Sequence, residues 1–300
     1  MVNIELRSTH PGGWRELLEL PADGILVGDT SCPHKLPSGQ ELRACWDAAL
    51  EAGWSFRLEL PPAFEGHYNR LLQLVEELVS HREGLDLVLN DWGVAVGIRE
   101  VGLPDKVRMS AGPLLSFSFA HCPWHEAILV EELAEVQAGV QVLSLDSPHG
   151  VSLLRSMGVS GLETDLIREL GPSWSNLARS GFSVSGRAGY SLVASSRLCH
   201  TARLHNRAIG LCQELCRQPT ELETTHRWSL FDNTQKRLDP PVRRSLPVLS
   251  LWGNAVYAPL TEPPERDHLA VLDRVTIDDR HWDKAGLRDQ ISYWKERLMA

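Results

Sequence analysis

The chain has 300 residues, of which 43% are hydrophobic and 23% charged, and a formal net charge of −9 at pH 7. The length and hydrophobic fraction suffice for a substantial core in one main domain. The negative net charge counts against a broad nucleic-acid surface, because phosphate binding requires clustered Lys and Arg. No run approaches the eighteen apolar residues of a membrane span and the first residues lack a signal-peptide pattern, so we expect a cytoplasmic protein.

Short apolar runs alternate with amphipathic stretches along the chain. The predicted strands are 24–31, 55–60, 85–90, 107–111, 140–145, 159–164, 182–186 and 190–195. The predicted helices lie near 13–20, 39–52, 66–82, 124–137, 149–157 and 166–180. Such alternation is typical of β/α units around a parallel sheet, and we predict an α/β fold with a TIM-like (β/α) barrel, with an incomplete or distorted form left open. A doubly wound open sheet is the alternative, but the chain has no Gly-x-Gly-x-x-Gly turn to support a dinucleotide site.

The domain organisation follows from the same pattern. We assign residues 1–225 to the barrel and residues 226–300 to an irregular C-terminal extension. Four of the ten tryptophans fall in this extension: Trp228, Trp252, Trp282 and Trp294. We therefore expect the extension to pack on the barrel or, alternatively, on a partner, since Trp is enriched at interfaces.

Four of the six cysteines fall in two places. Cys32 and Cys199 each follow an apolar run, and residues 204–217 favour a helix that would place Cys212 and Cys216 at i and i+4 on one face. If the two runs are neighbouring parallel strands, all four thiols meet at one end of the sheet. Soft thiolates select zinc, copper(I) or iron–sulfur clusters, so this spacing predicts a metal centre, with four-thiolate zinc as an alternative to a cluster. The remaining Cys45 and Cys122 are interpreted as packing residues.

Polar residues lie at the carboxyl ends of the predicted strands, where barrel chemistry collects. We place Asn90, Asp91 and Glu163 in a substrate pocket; helix capping or turn formation is the alternative for the first two. Arg197 and Arg203 flank the cysteines. Their guanidinium groups would stabilise an anionic cluster or hold a substrate carboxylate, and ordinary ion pairs are the alternative.

A second group of metal-binding side chains lies at His121, Cys122 and His125. It lacks the His-Glu-x-x-His register that puts two imidazoles on one helical face. We favour a lid or a partner-contact loop for this segment, which lies in an apparent insertion at 119–150.

The segments 26–32, 88–94, 110–115 and 195–203 resemble the peptidase U-32 (collagenase-like) family, and their order is most similar to its UbiV-like branch. The similarity covers about residues 20–220, although the interval between Cys199 and Cys212 is shorter than is usual for the branch. The resemblance implies a 4Fe–4S cluster held by Cys32, Cys199, Cys212 and Cys216. It further implies oxygen-independent hydroxylation of a ubiquinone-precursor ring, with prephenate as oxygen donor and a UbiU-like homologous subunit as heterodimer partner.

Three other functions stay open at this point: hydroxylation of an RNA base, a non-catalytic cluster-binding scaffold, and a peptidase. The acidic chain counts against RNA. Peptidase activity is disfavoured because the sequence has no Gly-x-Ser-x-Gly elbow, no His-Glu-x-x-His and no local Cys/His signature.

Overall fold

The computed structural model describes residues 2–10, 12–64, 66–123, 125, 129, 132–207, 212, 214–222, 247–260 and 262–299. The described strands are β1 (Asn3–Ser8), β2 (Gly24–Gly28), β3 (Ser55–Leu60), β4 (Leu85–Leu89), β5 (Val107–Ala111), β6 (Val159–Asp165), β7 (Ser183–Ala188), β8 (Tyr190–Ser195), β9 (Thr220–Leu222), β10 (Leu249–Trp252), β11 (Ala255–Pro259) and β12 (Arg274–Asp278). Within these residues, eight parallel strands close into a barrel in the order β1-β12-β7-β6-β5-β4-β3-β2.

A second sheet lies between the last two barrel strands in sequence. Its order is β8-β11-β10-β9 and its pairs are antiparallel. It is linked to the barrel through β8, which contacts β6 and β7. The chain therefore leaves the barrel after β7, builds this small sheet and returns as β12.

Helices surround the barrel and connect its strands. The described α-helices are Trp14–Leu17, Gly39–Glu51, Tyr68–His81, Trp92–Glu100, Ala134–Val140, Pro148–Ser156, Gly171–Arg179, His200–Leu204, Arg266–Leu269 and Lys284–Met299. Short 3₁₀ turns are Pro33–Lys35, Phe119–His121, Arg168–Leu170 and Asp279–His281. Among the described helices, none has the length and apolar character needed to cross a membrane.

Local sequence explains why these helices form and which face they bury. Ser38 and Glu41 form a reciprocal capping box at the start of Gly39–Glu51. In Tyr68–His81, Leu71, Leu74, Val75 and Leu78 recur at helical spacing and are buried. This stripe packs with the apolar side chains of the barrel strands in one core. Covering a parallel sheet in this way leaves strands such as β2 and β4 wholly buried.

The predicted barrel is confirmed, and it is closed. Strands β3 and β5 match the predicted 55–60 and 107–111. Two of the predicted strands differ from the structure. The predicted strand 190–195 is β8, which pairs in the small sheet, while 140–145 lies at the end of Ala134–Val140 and in turns.

The end of the barrel also differs from the predicted boundary at residue 225. Its eighth strand is β12, and Lys284–Met299 packs on β12 and β1. Within that helix Trp294 is buried in the main core, as expected for a residue that packs on the barrel. Trp228 lies outside the described residues. Residues 274–299 are therefore part of the barrel, because β1 and β7 pair with β12 and would otherwise be open edges.

Candidate functional site

Cys32 is held at the mouth of the barrel by a turn that follows β2. Gly28 has a φ of +123°, and a Cβ at this position would collide with the Glu59 carbonyl oxygen, so the close approach requires glycine. Asp29 Oδ1 then accepts the N–H groups of Ser31 and Cys32, each at 2.9 Å. These bonds fix the cysteine just beyond the carboxyl end of the strand.

Asn254 ties the second cysteine segment to the first. Its Nδ2 donates to the carbonyl oxygens of Ser31 and Ser196, each at 2.8 Å, and its Oδ1 accepts from the Ser31 hydroxyl at 2.8 Å. One side chain in the turn between β10 and β11 thus joins the residue before Cys32 to the segment that leads to Cys199. Tertiary contacts bring the two parts of the sequence together.

Cys199 and Cys216 lie on either side of the same turn. Cys199 caps the helix His200–Leu204, where its Sγ accepts the Ala202 N–H at 3.4 Å. Thr201 exchanges hydrogen bonds with Gly253, and a Cβ at Gly253 would lie 3.6 Å from Cys216 Sγ. The β10–β11 turn therefore packs against both cysteine segments.

The four thiols meet around Cys216. Burial raises the pKa of Cys216, the charge of Lys35 lowers it, and the thiols of Cys199 and Cys212 raise it further. Burial also raises the pKa of Cys32 to about 12, with smaller upward contributions from Asp29 and Cys216. All four cysteines are free thiols in the structure. Each of the other three therefore lies within electrostatic range of Cys216.

The route to this convergence differs from the predicted one. The helix predicted over 204–217 is not found in the described residues of that range: the observed helix His200–Leu204 ends where the predicted one was to begin, and Asn206 adopts a left-handed φ of 52°, as is common just past a helix C-terminus. Cys216 lies in a turn, and residues 208–211 and 213 lie outside the described residues. The strand before Cys199, β8, pairs antiparallel with β11 and does not neighbour β2.

The buried cation beside the cysteines is Lys35, which the sequence analysis did not identify. Only 7% of Lys35 is exposed, and its Nζ lies 3.4 Å from Asp29 Oδ2. Burial lowers the pKa of Lys35, but Asp29 and then Cys216 and Cys32 outweigh it and raise the pKa above its ordinary value. The predicted cations Arg197 and Arg203 are exposed. The only early signal for Lys35 was its position three residues after Cys32.

The interior of the barrel holds a chain of buried ion pairs that we call the ion-pair ladder. Its members are Arg7, Lys35, Arg57, Arg187, Arg280, Glu5, Asp29, Glu59, Glu163 and Asp278. Arg57 contacts Glu5 and Glu163 at 2.9 Å each, and Arg187 contacts Glu163 at 2.7 Å and Glu59 at 2.6 Å. Because Asp29 also pairs with Lys35, the ladder ends beside Cys32.

The three polar residues predicted for a substrate pocket have protein partners. Glu163 lies in the ladder, where burial raises its pKa but Arg187 and Arg57 together lower it below the ordinary value. Asn90 donates to Glu59 Oε1 at 3.0 Å. Asp91 accepts the N–H groups of Gly93 and Val94 and so caps the helix Trp92–Glu100, which is the alternative role considered for it.

Aromatic side chains cover the mouth end of the ladder. The rings of Tyr190 and His281 stack with their centroids 3.6 Å apart, and Trp252 and Tyr257 meet His281 edge-on. Burial lowers the pKa of His281 to about 3. The cavity between these rings and Arg7 has a volume of about 10 Å³, which is room for roughly one water molecule.

Comparisons with known proteins assign neither a family nor an activity to this chain. No protein-family model and no curated protein matches the sequence. A solved structure of a U32 peptidase is similar over 93% of this chain and 92% of its own, with 13% identity and a TM-score of 0.45. The orotidine 5'-monophosphate decarboxylase of Metallosphaera sedula is similar over 69% of this chain and 85% of its own, with 15% identity and a TM-score of 0.38. These likenesses are too distant to assign a family or an activity.

Proposed function

We propose that this chain is an iron–sulfur protein of the U-32 type in which Cys32, Cys199, Cys212 and Cys216 hold a 4Fe–4S cluster at the barrel mouth. The observation that carries the proposal is the convergence of four free thiols from three separate segments around Cys216. A bound cluster of this kind supplies one-electron redox chemistry.

In the described part of the chain, no three His, Cys, Asp or Glu side chains are arranged so that they could hold a metal ion. The choice of a cluster over a single zinc ion therefore depends on the motif resemblance, and a four-thiolate zinc site stays the alternative.

Charge at the mouth is also suited to a cluster. Thiolates are the metal-binding form of cysteine, and burial keeps the free thiols of Cys32 and Cys216 protonated. Positively charged iron would displace those protons. Lys35 is the member of the ladder beside the thiols, where its ammonium group would offset the negative charge that four thiolates bring.

For the activity, the motif resemblance leads us to propose oxygen-independent hydroxylation of an aromatic ring of the ubiquinone-precursor type, with prephenate as oxygen donor and a UbiU-like subunit as heterodimer partner. The packed interior favours a second candidate, a non-catalytic cluster-binding subunit. At the mouth end of the ladder, the cavity of about 10 Å³ is too small for an aromatic substrate. Activity of the isolated chain with oxygen donor and acceptor would exclude the second candidate.

The cluster is tested by iron and sulfide analysis and the visible spectrum of protein purified without oxygen. We expect about four irons and four sulfides per chain. Separate Ala variants of Cys32, Cys199, Cys212 and Cys216 should each lose the cluster. Cys45→Ala and Cys122→Ala are matched controls that should retain it, because neither residue belongs to the group around Cys216.

Two outcomes would refute the cluster. One is a colourless protein that cannot be reconstituted with iron and sulfide. The other is a protein that holds zinc alone, in which the same four cysteines would be structural.

A further inference from the structure

A cavity of about 230 Å³ lies beside the barrel, between the last helix, Lys284–Met299, and the segment that follows β11. Its size approaches that of ordinary small-molecule sites, which begin at about 300 Å³. The described residues that line it include no cysteine and no member of the ion-pair ladder. What this cavity binds is therefore a separate question from what the cysteines hold.

The last helix contributes two aromatic rings to the cavity. Gln290, Tyr293 and Trp294 lie at i, i+3 and i+4, so they share one helix face, and all three line the cavity. The rings of Tyr293 and Trp294 are nearly perpendicular, at 84°, with their centroids 5.4 Å apart. Two rings at this angle form adjoining walls of a concave site.

Tyr190 and Trp282 add two further rings, and both are held by the fold. A Cβ at Gly189 would lie 3.3 Å from Trp282 Cζ2, so the indole ring lies close over the Gly189 backbone. Gly189 also has a φ of +89°, a conformation that favours glycine. Tyr190 stacks on His281 with the ring centroids 3.6 Å apart. These two aromatic walls are therefore in place before any ligand arrives.

The opposite wall is apolar and stiff. It comprises Pro259, Leu260, Pro263 and Pro264. Each proline ring fixes its own φ, and the Leu260 N–H donates to the Gly189 carbonyl oxygen at 2.9 Å. A wall that is already rigid loses little conformational entropy when a ligand binds.

Charge at the cavity favours a cation. Glu262 is the one charged side chain among the described residues that line it. Glu262 pairs with Arg168 at the surface, where such pairs are weak, and Arg297 donates to the Pro264 carbonyl oxygen at 2.7 Å. Neither arginine lines the cavity. The faces of aromatic rings carry partial negative charge, so the rings and the carboxylate act in the same direction.

We infer that this cavity binds a small organic cation, such as one that carries a trimethylammonium group. Aromatic faces attract such a cation through the ring quadrupole, and the Glu262 carboxylate adds a full negative charge at the rim. A trimethylammonium group has no N–H, so it needs no hydrogen-bond acceptor among the apolar walls. The inference does not rest on the proposed cluster, because no cysteine takes part.

The test is calorimetric titration of the full chain at neutral pH, in a buffer free of organic cations, with three probes of similar shape. Choline is the cation, tert-butylethanol is its uncharged isostere with carbon in place of nitrogen, and pivalate is an anion with the same tert-butyl group. We expect choline to bind about tenfold more tightly than either of the others, the factor that corresponds to roughly 1.4 kcal/mol.

Two variants locate the binding. Tyr293 is 43% exposed and the Glu262 side chain is 65% exposed, so Tyr293→Leu and Glu262→Gln leave the core intact. Each should reduce the preference for choline over tert-butylethanol by about threefold or more. Phe117→Leu, at an exposed aromatic residue outside the cavity, and Glu214→Gln, at an exposed carboxylate that pairs with Arg217, are the matched controls and should keep the preference.

Equal binding of choline and tert-butylethanol would overturn the inference, because the cavity would then be merely apolar. Tighter binding of pivalate, or no binding of choline at millimolar concentration, would overturn it as well. An unchanged preference in both variants would place the choline site elsewhere on the protein and so refute this cavity. If Tyr293→Leu does not fold, Glu262→Gln alone decides. Loss of iron from the protein changes none of these expectations, so they succeed or fail independently of the cluster.

Discussion

The barrel interior and the cysteine mouth both bury polar side chains, but they differ in how those side chains are satisfied. In the interior, Arg57 and Arg187 each lie between two carboxylates. At the mouth, Cys32 and Cys216 are buried thiols whose pKa values are raised by that burial, with smaller upward contributions from neighbouring thiols. The charged side chains of the interior are therefore paired with opposite charges of the protein, whereas the thiols of the mouth are the residues that we propose hold a cluster.

The largest expected effect on stability comes from removing one charge of the ion-pair ladder. Glu59 is fully buried between Arg7 at 2.7 Å and Arg187 at 2.6 Å and also accepts from Asn90. Removing one partner of a buried ion pair costs about 3–5 kcal/mol because the other charge stays buried. We expect Glu59→Gln to lower the free energy of unfolding by about this amount, measured by urea denaturation.

The control for this prediction is an exposed ion pair. Asp47 contacts Arg82 and His81 at the surface, and surface pairs contribute about 0–1 kcal/mol. Asp47→Asn should therefore change stability by less than about 1 kcal/mol. Equal losses in the two variants would mean that the interior pairs are no more important than those on the surface.

A smaller effect, dependent on pH, is expected at Asp279, beside the end of the ladder. Burial and the neighbouring carboxylate of Asp278 raise the pKa of Asp279 to about 7 from an ordinary value of 3.8. The folded state therefore binds more protons than the unfolded state between about pH 4 and pH 7. This contribution stabilises the protein below pH 4 and is lost as the pH rises to 7.

Asp279→Asn removes the titration while its amide oxygen can still accept from Thr9, which bonds Asp279 through its N–H and hydroxyl. We expect the variant to gain about 1 kcal/mol or more relative to the unmodified protein between pH 5 and pH 8, measured by urea unfolding at both values. A variant that loses stability relative to the unmodified protein over this interval would show that Asp279 is ionised throughout.

The smallest expected effect is a change in the midpoint potential of the proposed cluster at the mouth. Lys35 is the buried cation beside Cys32 and Cys216, so Lys35→Met should leave iron bound but make reduction of the cluster harder. We expect the midpoint potential of the proposed cluster to fall by on the order of 30–60 mV, which for one electron is about 0.7–1.4 kcal/mol. Arg203→Met, at an exposed cation near the same cysteines, is the control. Equal shifts in the two potentials would assign no special role to Lys35.

Much of the barrel was predictable because β2 to β7 each contain apolar residues between turns. Strands β1 and β12 were not predicted, although both are required for closure. In β1, Ile4 and Leu6 pack in the main apolar core, whereas Glu5 and Arg7 belong to the ladder. Strand β3 has the same alternation of apolar and ladder residues and was predicted, so this pattern is compatible with a barrel strand but does not by itself identify one, since parallel strands normally read as continuous apolar runs.

The sequence singled out the four cysteines of the candidate site but not how they are placed, because the helix predicted over 204–217 is not found in the described residues of that range. The residues that bring them together could not be found in the same way. Asn254 bonds Ser31 across 223 positions, and Lys35 acquires its role only when Cys216 folds against it. Contacts of this range are fixed by tertiary structure and leave no local sequence signal.

The position of β12 has a consequence for how the chain acquires its fold. Strand β1 pairs with β12 from Asn3 opposite Arg274 to Arg7 opposite Asp278, so nearly the whole chain separates the two partners. During synthesis β1 and β7 present unpaired edges until residue 278 has emerged, and unpaired edges invite association with other chains. Pairing at such separation is also slow. A chain that ends before β12 would therefore leave both edges exposed to other chains. The pairing of β12 with β1 and β7 removes both edges at once.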